Sequence, residues 1–293
     1  MAELYSKESL GIKTIDHLAL RLSIPIKELV EASSKVESLY LFWKEPKKNG
    51  KFRTISAPRP FLKRIQSKIH KLLQELKISE FSHGGVKGRS NLTNAKIHTG
   101  NKELYSLDFK NFYPSISHQK IYRLFCYELD CSPDVAKILT RLCTVRGEVP
   151  QGSPTSSDLA NLVHRKLGKR LKGLAIKYQI NNYSHYIDDL SFSGQVIPLS
   201  FKKSAKEIIT EHGFELNLGK EIFRGRHQCQ IVTGLCVNRK RLTLPKKTRK
   251  KWRAEKYILR KFKSKEMTDD MRLKEEQRVK GRDNYIRNIE SEG

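Results

Sequence analysis

The hydrophobic positions change their spacing along the chain, and these changes predict alternating helices and strands. Residues 9–40 carry Ile, Leu, Ala and Val at helical spacing with an interruption at Pro25, which predicts two short helices. Residues 39–43 and 52–55 are strand-like and flank an Asn-Gly turn, which predicts a β-hairpin. Residues 61–76 place apolar side chains on one helical face and Lys and Arg on the other.

The central part of the chain predicts a sheet whose strands are separated by helices. Residues 103–109 form an apolar run that ends near an acid, which indicates a buried strand. The spacing predicts helices over 119–127, 133–142 and 156–171. Residues 182–194 are rich in Tyr, Ile, Leu and Phe around two adjacent acids, which predicts two short strands meeting at a turn.

The C-terminal third predicts mixed elements followed by a basic helical segment. A helix over 201–212 is expected to end at a glycine, and strands are expected at 214–218, 222–223 and 230–237. From residue 240 onward the pattern is helical, with aromatic and aliphatic residues among many Lys and Arg. The chain is therefore predicted to be an α+β protein.

The charge balance narrows the class of partner. The chain has 293 residues, with 58 Lys and Arg against 31 Asp and Glu, and a formal net charge of +27. This excess favours a polyanionic partner, first of all nucleic acid. No run of about 18 apolar residues and no signal-like segment is present, so we expect a soluble, cytoplasmic protein without a membrane partner. Five cysteines without a C-x-x-C pair favour reduced thiols.

Two adjacent carboxylates, Asp188 and Asp189, lie at the predicted turn of the 182–194 hairpin. Neighbouring carboxylates repel each other unless a cation lies between them, so the pair suggests a divalent metal, with Mg²⁺ favoured by the hard oxygen ligands. The alternative is a solvated turn, because Asp is common in turns that bind no metal. The dipeptide alone does not decide between these interpretations.

Two basic segments are candidates for binding phosphate. Lys47 lies at the tip of the predicted N-terminal hairpin and Arg53 on its returning strand; the alternative is a solvated edge hairpin protected by Lys. In the basic C-terminal segment, cations could contact phosphates while aromatic residues stack with bases. The candidate RNA-binding residues of that segment are Lys246, Arg249, Lys250 and Arg253.

Six short blocks follow one another in a characteristic order. Four of them are Asp108 at a strand end, the Gln151-Gly152 turn, the Tyr186–Asp189 hairpin and the later Lys220. Their order resembles the palm of reverse transcriptases. With Asn-Ala-Lys-Ile-His at 94–98 and Val-Thr-Gly at 232–234, the chain resembles a bacterial retron reverse transcriptase over residues 39–237. Group II intron and diversity-generating reverse transcriptases are alternatives within the class.

The resemblance implies a right-hand polymerase fold with fingers, a ferredoxin-like palm and a basic helical thumb. The implied boundaries are 1–104 for the N-terminal helices and fingers, 105–237 for the palm with inserted finger helices, and 238–293 for the thumb. The implied activity is RNA-directed DNA polymerisation, a nucleotidyl transfer that uses two divalent cations.

The resemblance also assigns roles to individual residues. Two Mg²⁺ ions, with Mn²⁺ as an alternative, would be held by Asp108, Asp188, Asp189 and the carbonyl of Phe109. Tyr113 would lie under the sugar and exclude a 2′-hydroxyl, with Phe112 as the fallback. The implied nucleotide-binding residues are Lys47, Arg53, Phe112, Tyr113, Gln151, Gly152 and Lys220. A surface role without contact to the nucleotide is the alternative for Lys220.

In retron enzymes the two further blocks are associated with a cognate structured noncoding RNA. The implied RNA-binding residues are Asn94, His98, Val232, Thr233 and Gly234, and a packed structural helix is the alternative for the first two. Retron enzymes copy part of that RNA into multicopy single-stranded DNA, primed from an RNA 2′-hydroxyl, in phage defence. The implied partners are this RNA and its DNA product, dNTPs, a separate effector protein and host ribonuclease H. An RNA-binding scaffold that restrains an effector is the alternative function.

One residue departs from the family pattern. Position 187, most often Ala in relatives, is Ile here. A β-branched side chain is stiff and bulky. We therefore expect Ile187 to tighten selection against altered sugars and to lower processivity.

Overall fold

In a computed structural model of the chain, the described residues are 7–46, 50, 52–261 and 269–292. Lys47, at the tip of the predicted hairpin, lies outside the described residues. The helices are α1 Ile15–Leu22, α2 Ile26–Ser34, α3 Pro60–Leu73, α4 Asn91–Lys96, α5 Phe112–Ser115, α6 His118–Arg123, α7 Pro133–Cys143, α8 Ser156–Val163, α9 Arg165–Lys177, α10 Leu199–Glu211, α11 Lys246–Lys261 and α12 Asp269–Glu292. The strands are β1 Tyr40–Pro46, β2 Phe52–Pro58, β3 Glu103–Asp108, β4 Asn182–Tyr186, β5 Asp189–Gly194, β6 Ile222–Arg224, β7 Ile231–Val232 and β8 Leu235–Cys236. Short 3₁₀ helices cover Val36–Leu39 and Leu218–Lys220, and a π-helical turn covers Leu124–Glu128.

Most of the predicted elements are present. Helices α1 and α2 lie on either side of Pro25, as the interruption in the hydrophobic pattern predicted. The Thr14 side chain caps α1 by accepting a hydrogen bond from the His17 N–H at 3.1 Å. Strands β1 and β2 pair antiparallel from Tyr40 opposite Pro58, which confirms the N-terminal hairpin.

Several predicted elements differ in detail from the structure. The strand expected over 230–237 is two short strands, β7 and β8, and the basic helix expected from residue 240 begins at Lys246. The single helix expected over 156–171 is divided into α8 and α9 at His164, whose buried ring packs edge-on against Phe109 and Phe214. The strand expected over 214–218 makes one bridge, between Leu216 and Phe109, before the chain enters a 3₁₀ helix.

The central sheet has four antiparallel strands in the order β4-β5-β3-β6. The chain passes from β3 through helices to the β4–β5 hairpin, then through α10 to β6. This β-α-β-β-α-β succession, with the first and third strands adjacent at the centre, is the arrangement called ferredoxin-like. The two central strands therefore come from segments that are far apart in the chain.

Two hydrophobic clusters hold the described residues together. The larger cluster joins the N-terminal helices, α3 and α7 to the sheet, and Tyr105 and Phe192 are among its fully buried side chains. The smaller cluster joins α4, the β7–β8 hairpin and the C-terminal helices through side chains such as Leu92, Leu235 and Ile289. No helix within the described ranges has both the length and the apolar composition that a bilayer crossing needs.

Helix α9 offers a matched pair of glycines that tests the packing of the 81–85 loop behind the β4–β5 hairpin. A Cβ on Gly168 would lie 2.3 Å from Cε2 of Phe81, whereas a Cβ on Gly173 would meet nothing within 4 Å. We expect Gly168→Ala to lower the free energy of unfolding by about 1–3 kcal/mol through overpacking. Gly173→Ala should raise it by up to about 1 kcal/mol, because Ala favours a helix more than Gly.

Urea denaturation of both variants, with the unchanged protein as reference, measures the two effects. Equal changes in both variants would show that Phe81 does not pack tightly against α9.

Candidate active site

The three predicted catalytic aspartates lie together at one end of the central strands. Strand pairing sets Asp108, the last residue of β3, directly opposite Asp189, the first residue of β5. Ile187 and Asp188 form the two-residue loop between β4 and β5. The Phe109 N–H donates to the Asp188 carbonyl oxygen at 3.2 Å, so the Phe109 backbone, a predicted metal ligand, lies beside this loop.

Burial and mutual repulsion affect the protonation of these carboxyl groups. Burial raises the pKa of Asp188, and the negative charge of Asp108 raises it further. Burial, with the charges of Asp188 and Asp108, raises the pKa of Asp189 to about 6. The positive charge of Lys220 lowers the pKa of Asp188 and Asp189 and so opposes these increases. The Lys220 ammonium donates to Asp108 Oδ2 at 2.8 Å, and this hydrogen bond raises the pKa of Lys220. The crowded acids form a site that a cation stabilises.

These residues fit a divalent metal that is completed by substrate. Within the described ranges, no three His, Cys, Asp or Glu side chains are arranged to hold one metal ion by themselves. Mg²⁺ is usually bound through one or two carboxylates together with water and substrate phosphates. The Lys220 ammonium on Asp108 already stands where a positive charge is favourable. Asp108 and the Asp188-Asp189 pair are thus suitable oxygen donors for such a site.

The structure distinguishes the two aromatic candidates for sugar contact. Phe112 is buried and stacks on Phe109 at a centroid distance of 5.5 Å, so its ring belongs to the core. Tyr113 is half-buried, hydrogen-bonds with Ser157 and lies close enough to Asp188 to respond to its charge. Burial raises the pKa of Tyr113 and keeps its hydroxyl protonated. Tyr113 is therefore the better candidate.

The Gln151-Gly152 turn is attached to the N-terminal hairpin. The Ser56 N–H of β2 donates to the Gln151 carbonyl at 3.1 Å. Gly152 has φ +128, and a Cβ there would lie 3.1 Å from the Ser56 carbonyl oxygen. Arg53, on the same strand, forms an ion pair of 2.7 Å with Glu45 across the hairpin. Arg53 is therefore paired with Glu45, and none of its contacts among the described residues is with the aspartates.

The Asn94 and His98 side chains are buried, whereas Lys96 and Ile97 of the same block are exposed. This burial corrects the interpretation of Asn94 and His98 as side chains that contact RNA. The His98 ring is fully buried and hydrogen-bonds with the hydroxyls of Ser184 and Ser193 at 2.7 Å each. Burial lowers the pKa of His98 to about 3, so the ring is neutral. Asn94 is also buried and donates to the Thr233 hydroxyl at 3.4 Å. The packed-helix alternative describes both residues.

The Val-Thr-Gly block forms the turn between β7 and β8. The Val232 side chain is buried in the smaller hydrophobic cluster, which corrects its assignment as an RNA contact. The Thr233 hydroxyl donates to the Asn91 carbonyl at 2.9 Å, while Gly234, at φ +85, is exposed. Only the tip of this turn is thus available to a ligand.

The predicted basic surface of the C-terminal segment is on α11. All four of its candidate side chains are exposed, namely Lys246, Arg249, Lys250 and Arg253. Helix α11 packs on α12, where Lys256 pairs with Asp283 at 2.5 Å. Helix α11 therefore presents a cationic face to solvent.

A family model described as reverse transcriptase (RNA-dependent DNA polymerase) matches residues 45–232, well over half of the chain. The match contains β3, β4 and β5 with their three aspartates. The chain belongs to the reverse transcriptase family. The coarse prediction, an RNA-directed DNA polymerase with mixed helices and sheets, is thereby confirmed.

Known relatives identify the branch of the family. The chain is 33% identical over 263 residues to the retron Se72 reverse transcriptase of Salmonella heidelberg (strain 579083-10), which covers 85% of this chain and 67% of that protein. It is 34% identical to the retron Mx65 reverse transcriptase of Myxococcus xanthus, over 68% of this chain and 51% of that protein. It is 32% identical to the retron Ec86 reverse transcriptase of Escherichia coli, over 70% of this chain and 64% of that protein. The resemblance to retron reverse transcriptases is confirmed.

The extent of these matches differs between the proteins. The chain spans about half to two thirds of the length of these retron relatives. Among solved structures, a foamy viral protease-reverse transcriptase in complex with ds DNA aligns at a TM-score of 0.43 and 16% identity, over 75% of this chain and 34% of that chain. This structural similarity is too low to relate individual residues.

The catalytic turn of this reverse transcriptase contains a strained residue. Ile187 has φ +57, a left-handed conformation that is rare for a β-branched residue. Its side chain packs inward: a Cβ on Gly84 would lie 2.6 Å from Ile187 Cγ1 and 2.8 Å from its backbone nitrogen. The side chain that the sequence suggested as a sugar selector therefore contacts the Gly-rich loop.

That Gly-rich loop, residues 81–85, holds the turn from behind. The His185 N–H donates to the Phe81 carbonyl, and the His83 N–H donates to the His185 carbonyl, both at 2.8 Å. On the other side, the Asn161 amide of α8 donates to the Gly84 carbonyl at 2.9 Å. The sequence contains the adjacent glycines Gly84 and Gly85, but their position in the sequence did not predict that they pack against the β4–β5 turn.

The contact between Gly84 and Ile187 gives a test of how the turn is positioned. We expect Gly84→Ala to push the turn out of place and to lower kcat for DNA synthesis by at least about 10-fold, because small displacements of catalytic groups are costly. Adding Ile187→Ala removes the Cγ1 contact and should restore part of kcat, although the backbone contact remains.

Single-turnover extension of a primed template, compared between the single and double variants, measures this coupling. Purely additive losses in the double variant would exclude a direct contact between the two positions.

Proposed function

We propose that this reverse transcriptase copies part of a cognate structured noncoding RNA into multicopy single-stranded DNA, starting from an RNA 2′-hydroxyl. The observation that carries the proposal is the pairing of Asp108 with Asp189, with Asp188 in the adjoining turn. The similarity to several proteins named as retron reverse transcriptases supports the retron part. A cytoplasmic role in phage defence belongs to the same proposal.

The proposed division of roles follows the geometry of the site. Two divalent cations, usually Mg²⁺ in this family, would supply activation of the attacking hydroxyl and neutralisation of the pyrophosphate. Asp108, Asp188 and the Phe109 carbonyl would hold them, and Asp189 would support the primer side. Lys220 holds Asp108 in position through its 2.8 Å contact and carries the charge that can meet the leaving pyrophosphate.

The proposed subdivision uses the boundaries implied by the family. Residues 1–104 would be the N-terminal helices and fingers, 105–237 the palm with inserted finger helices, and 238–293 the thumb. The sheet of β3 to β6 with its acids supports the palm assignment, and the exposed cations of α11 support a thumb that contacts nucleic acid. In this arrangement Gln151 and Gly152 would belong to the part of the palm that contacts the hairpin carrying Arg53.

A double substitution tests the catalytic assignment. We expect Asp188→Asn with Asp189→Asn to lower DNA synthesis by at least about 100-fold, because the charges that bind the cations are lost. RNA affinity should stay within about 3-fold, since it depends on the basic surface.

Primer extension and RNA filter binding measure the two quantities, and Asp130→Asn, at an exposed aspartate paired with Lys13, is the matched control. Loss of folding in the double variant, seen by circular dichroism, would mean that the acids are structural.

The two neighbouring aromatics test sugar selection. We expect Tyr113→Ala to lower the preference for dNTP over NTP, as a ratio of kcat/KM values, by at least about 10-fold, because the side chain that excludes a 2′-hydroxyl is removed. Phe112→Leu should lower stability by about 1 kcal/mol and leave that preference unchanged, because Phe112 lies in the core. Steady-state incorporation of dGTP and GTP measures this preference in each variant. An unchanged ratio of kcat/KM values in Tyr113→Ala would contradict the assignment of Tyr113 as the residue that excludes a 2′-hydroxyl.

The retron part of the proposal has a direct test in the native complex. The expected partners are the cognate RNA, its DNA product, dNTPs, a separate effector protein and host ribonuclease H. Sequencing the nucleic acid that copurifies with the protein, before and after ribonuclease and debranching treatment, should reveal one short DNA joined to one RNA. Random cellular RNA without a discrete DNA would favour the scaffold alternative.

A further inference from the structure

A cavity of about 350 Å³ lies between α11, α12 and the segment that follows β8. Its inner wall is apolar and includes Leu242, Leu244 and Ile286, while Trp252 forms one side. Arg249 and Arg253 line the cavity as well, and both are exposed. The cavity thus combines an aromatic ring, an apolar floor and cations, and its volume is near the lower end of small-ligand sites.

The Trp252 ring is held in a fixed orientation. The Arg282 guanidinium lies 5.2 Å from the ring centroid, and Tyr285 packs against the ring at 6.3 Å in an edge-on arrangement. Arg282 is itself bound to Glu255, and the Tyr285 hydroxyl accepts a hydrogen bond from Asn91 of α4 at 2.5 Å. A ring that is restrained in this way can stack with a planar ligand at a low cost in conformational entropy.

The cations around the cavity fall into two groups. Lys256 and Arg282 are neutralised by Asp283 and Glu255. Arg249 and Arg253 form no ion pair with any described residue, and they outnumber the one further carboxylate of the lining, Glu290, so the lining keeps a net positive charge. A ligand that fits is planar and apolar at one end and anionic at the other.

We propose that this cavity binds one unpaired nucleotide of single-stranded RNA, with the base against Trp252 and its phosphate on Arg249 and Arg253. The inference rests on the proposed function in that RNA is the ligand. A base within a duplex is stacked on both sides and cannot enter, whereas an unpaired base can leave the stack. Of the aromatic residues on α11, Trp252 lines the cavity and Tyr257 is exposed to solvent.

Tryptophan fluorescence provides a direct readout. In a Trp43→Phe background Trp252 is the remaining tryptophan, because the chain has two. Titration with a single-stranded oligoribonucleotide of about eight residues should quench this fluorescence with at least about 5-fold higher affinity than the same strand in a duplex. Equal quenching and equal affinity for the duplex would overturn the proposal.

Substitutions separate the cavity from the charge around it. Val279→Phe fills the cavity without changing charge, and we expect it to abolish the preference for single strands. Arg249→Ala should weaken single-strand binding by at least about 5-fold, the equivalent of about 1 kcal/mol. Lys247→Ala, a charge loss at an exposed position of α11 outside the cavity, should change it by less than about 2-fold. Equal effects of Arg249→Ala and Lys247→Ala would contradict the assignment.

A replacement variant and a parallel primer-extension assay complete the test. If circular dichroism shows that Val279→Phe does not fold, Trp252→Leu replaces it, with binding followed by the anisotropy of a labelled oligoribonucleotide; unchanged affinity would overturn the proposal. Primer extension by the unsubstituted protein is measured in parallel. If the protein extends a primer but does not prefer the single-stranded oligoribonucleotide, only the cavity assignment is refuted. If it prefers the single strand but does not extend a primer, the polymerase function is refuted and the cavity assignment is retained.

Discussion

The register between β3 and β5 is the constraint on which the active site depends. Leu107 faces Leu190 in the strand pair, and the next pair is Asp108 with Asp189, so buried leucines determine the position of the acids. A slip of one residue would turn every side chain of the strand to the other face of the sheet. Like charges directly opposite each other are unfavourable, and Lys220 offsets part of this repulsion. Apolar packing thus maintains a charge arrangement that is unfavourable by itself.

The turn that carries Asp188 depends on the same principle. A left-handed Ile costs about 1–2 kcal/mol, and such strain persists only when the surroundings over-determine the conformation. Here the surroundings are the 81–85 loop, which pairs with β4, and Asn161 of α8, which holds the Gly84 carbonyl. Loop, helix and hairpin come from separate parts of the chain and meet behind one residue. Its side chain therefore anchors the turn.

Buried and partly buried polar contacts connect the catalytic hairpin to the C-terminal helices. His98 joins the end of α4 to both strands of the hairpin, through hydroxyls on Ser184 and Ser193. At the other end of α4, Asn91 donates to Tyr285 of α12. Fully satisfied polar contacts inside a protein specify one arrangement of the elements that they join. These contacts therefore link the catalytic hairpin, through α4, to α12.

Periodicity, charge and local motifs are properties of neighbouring residues, so they were sufficient to predict the element types, the α+β class, the basic character and the order of the catalytic blocks. The sequence did not determine which motif residues are exposed. His98 and Val232 appeared as ligand contacts and are buried, while Ile187 appeared beside the substrate and packs on Gly84. It also did not reveal the break at His164 or the cavity at Trp252. These features depend on contacts between segments that are distant in the chain, and only tertiary packing decides them.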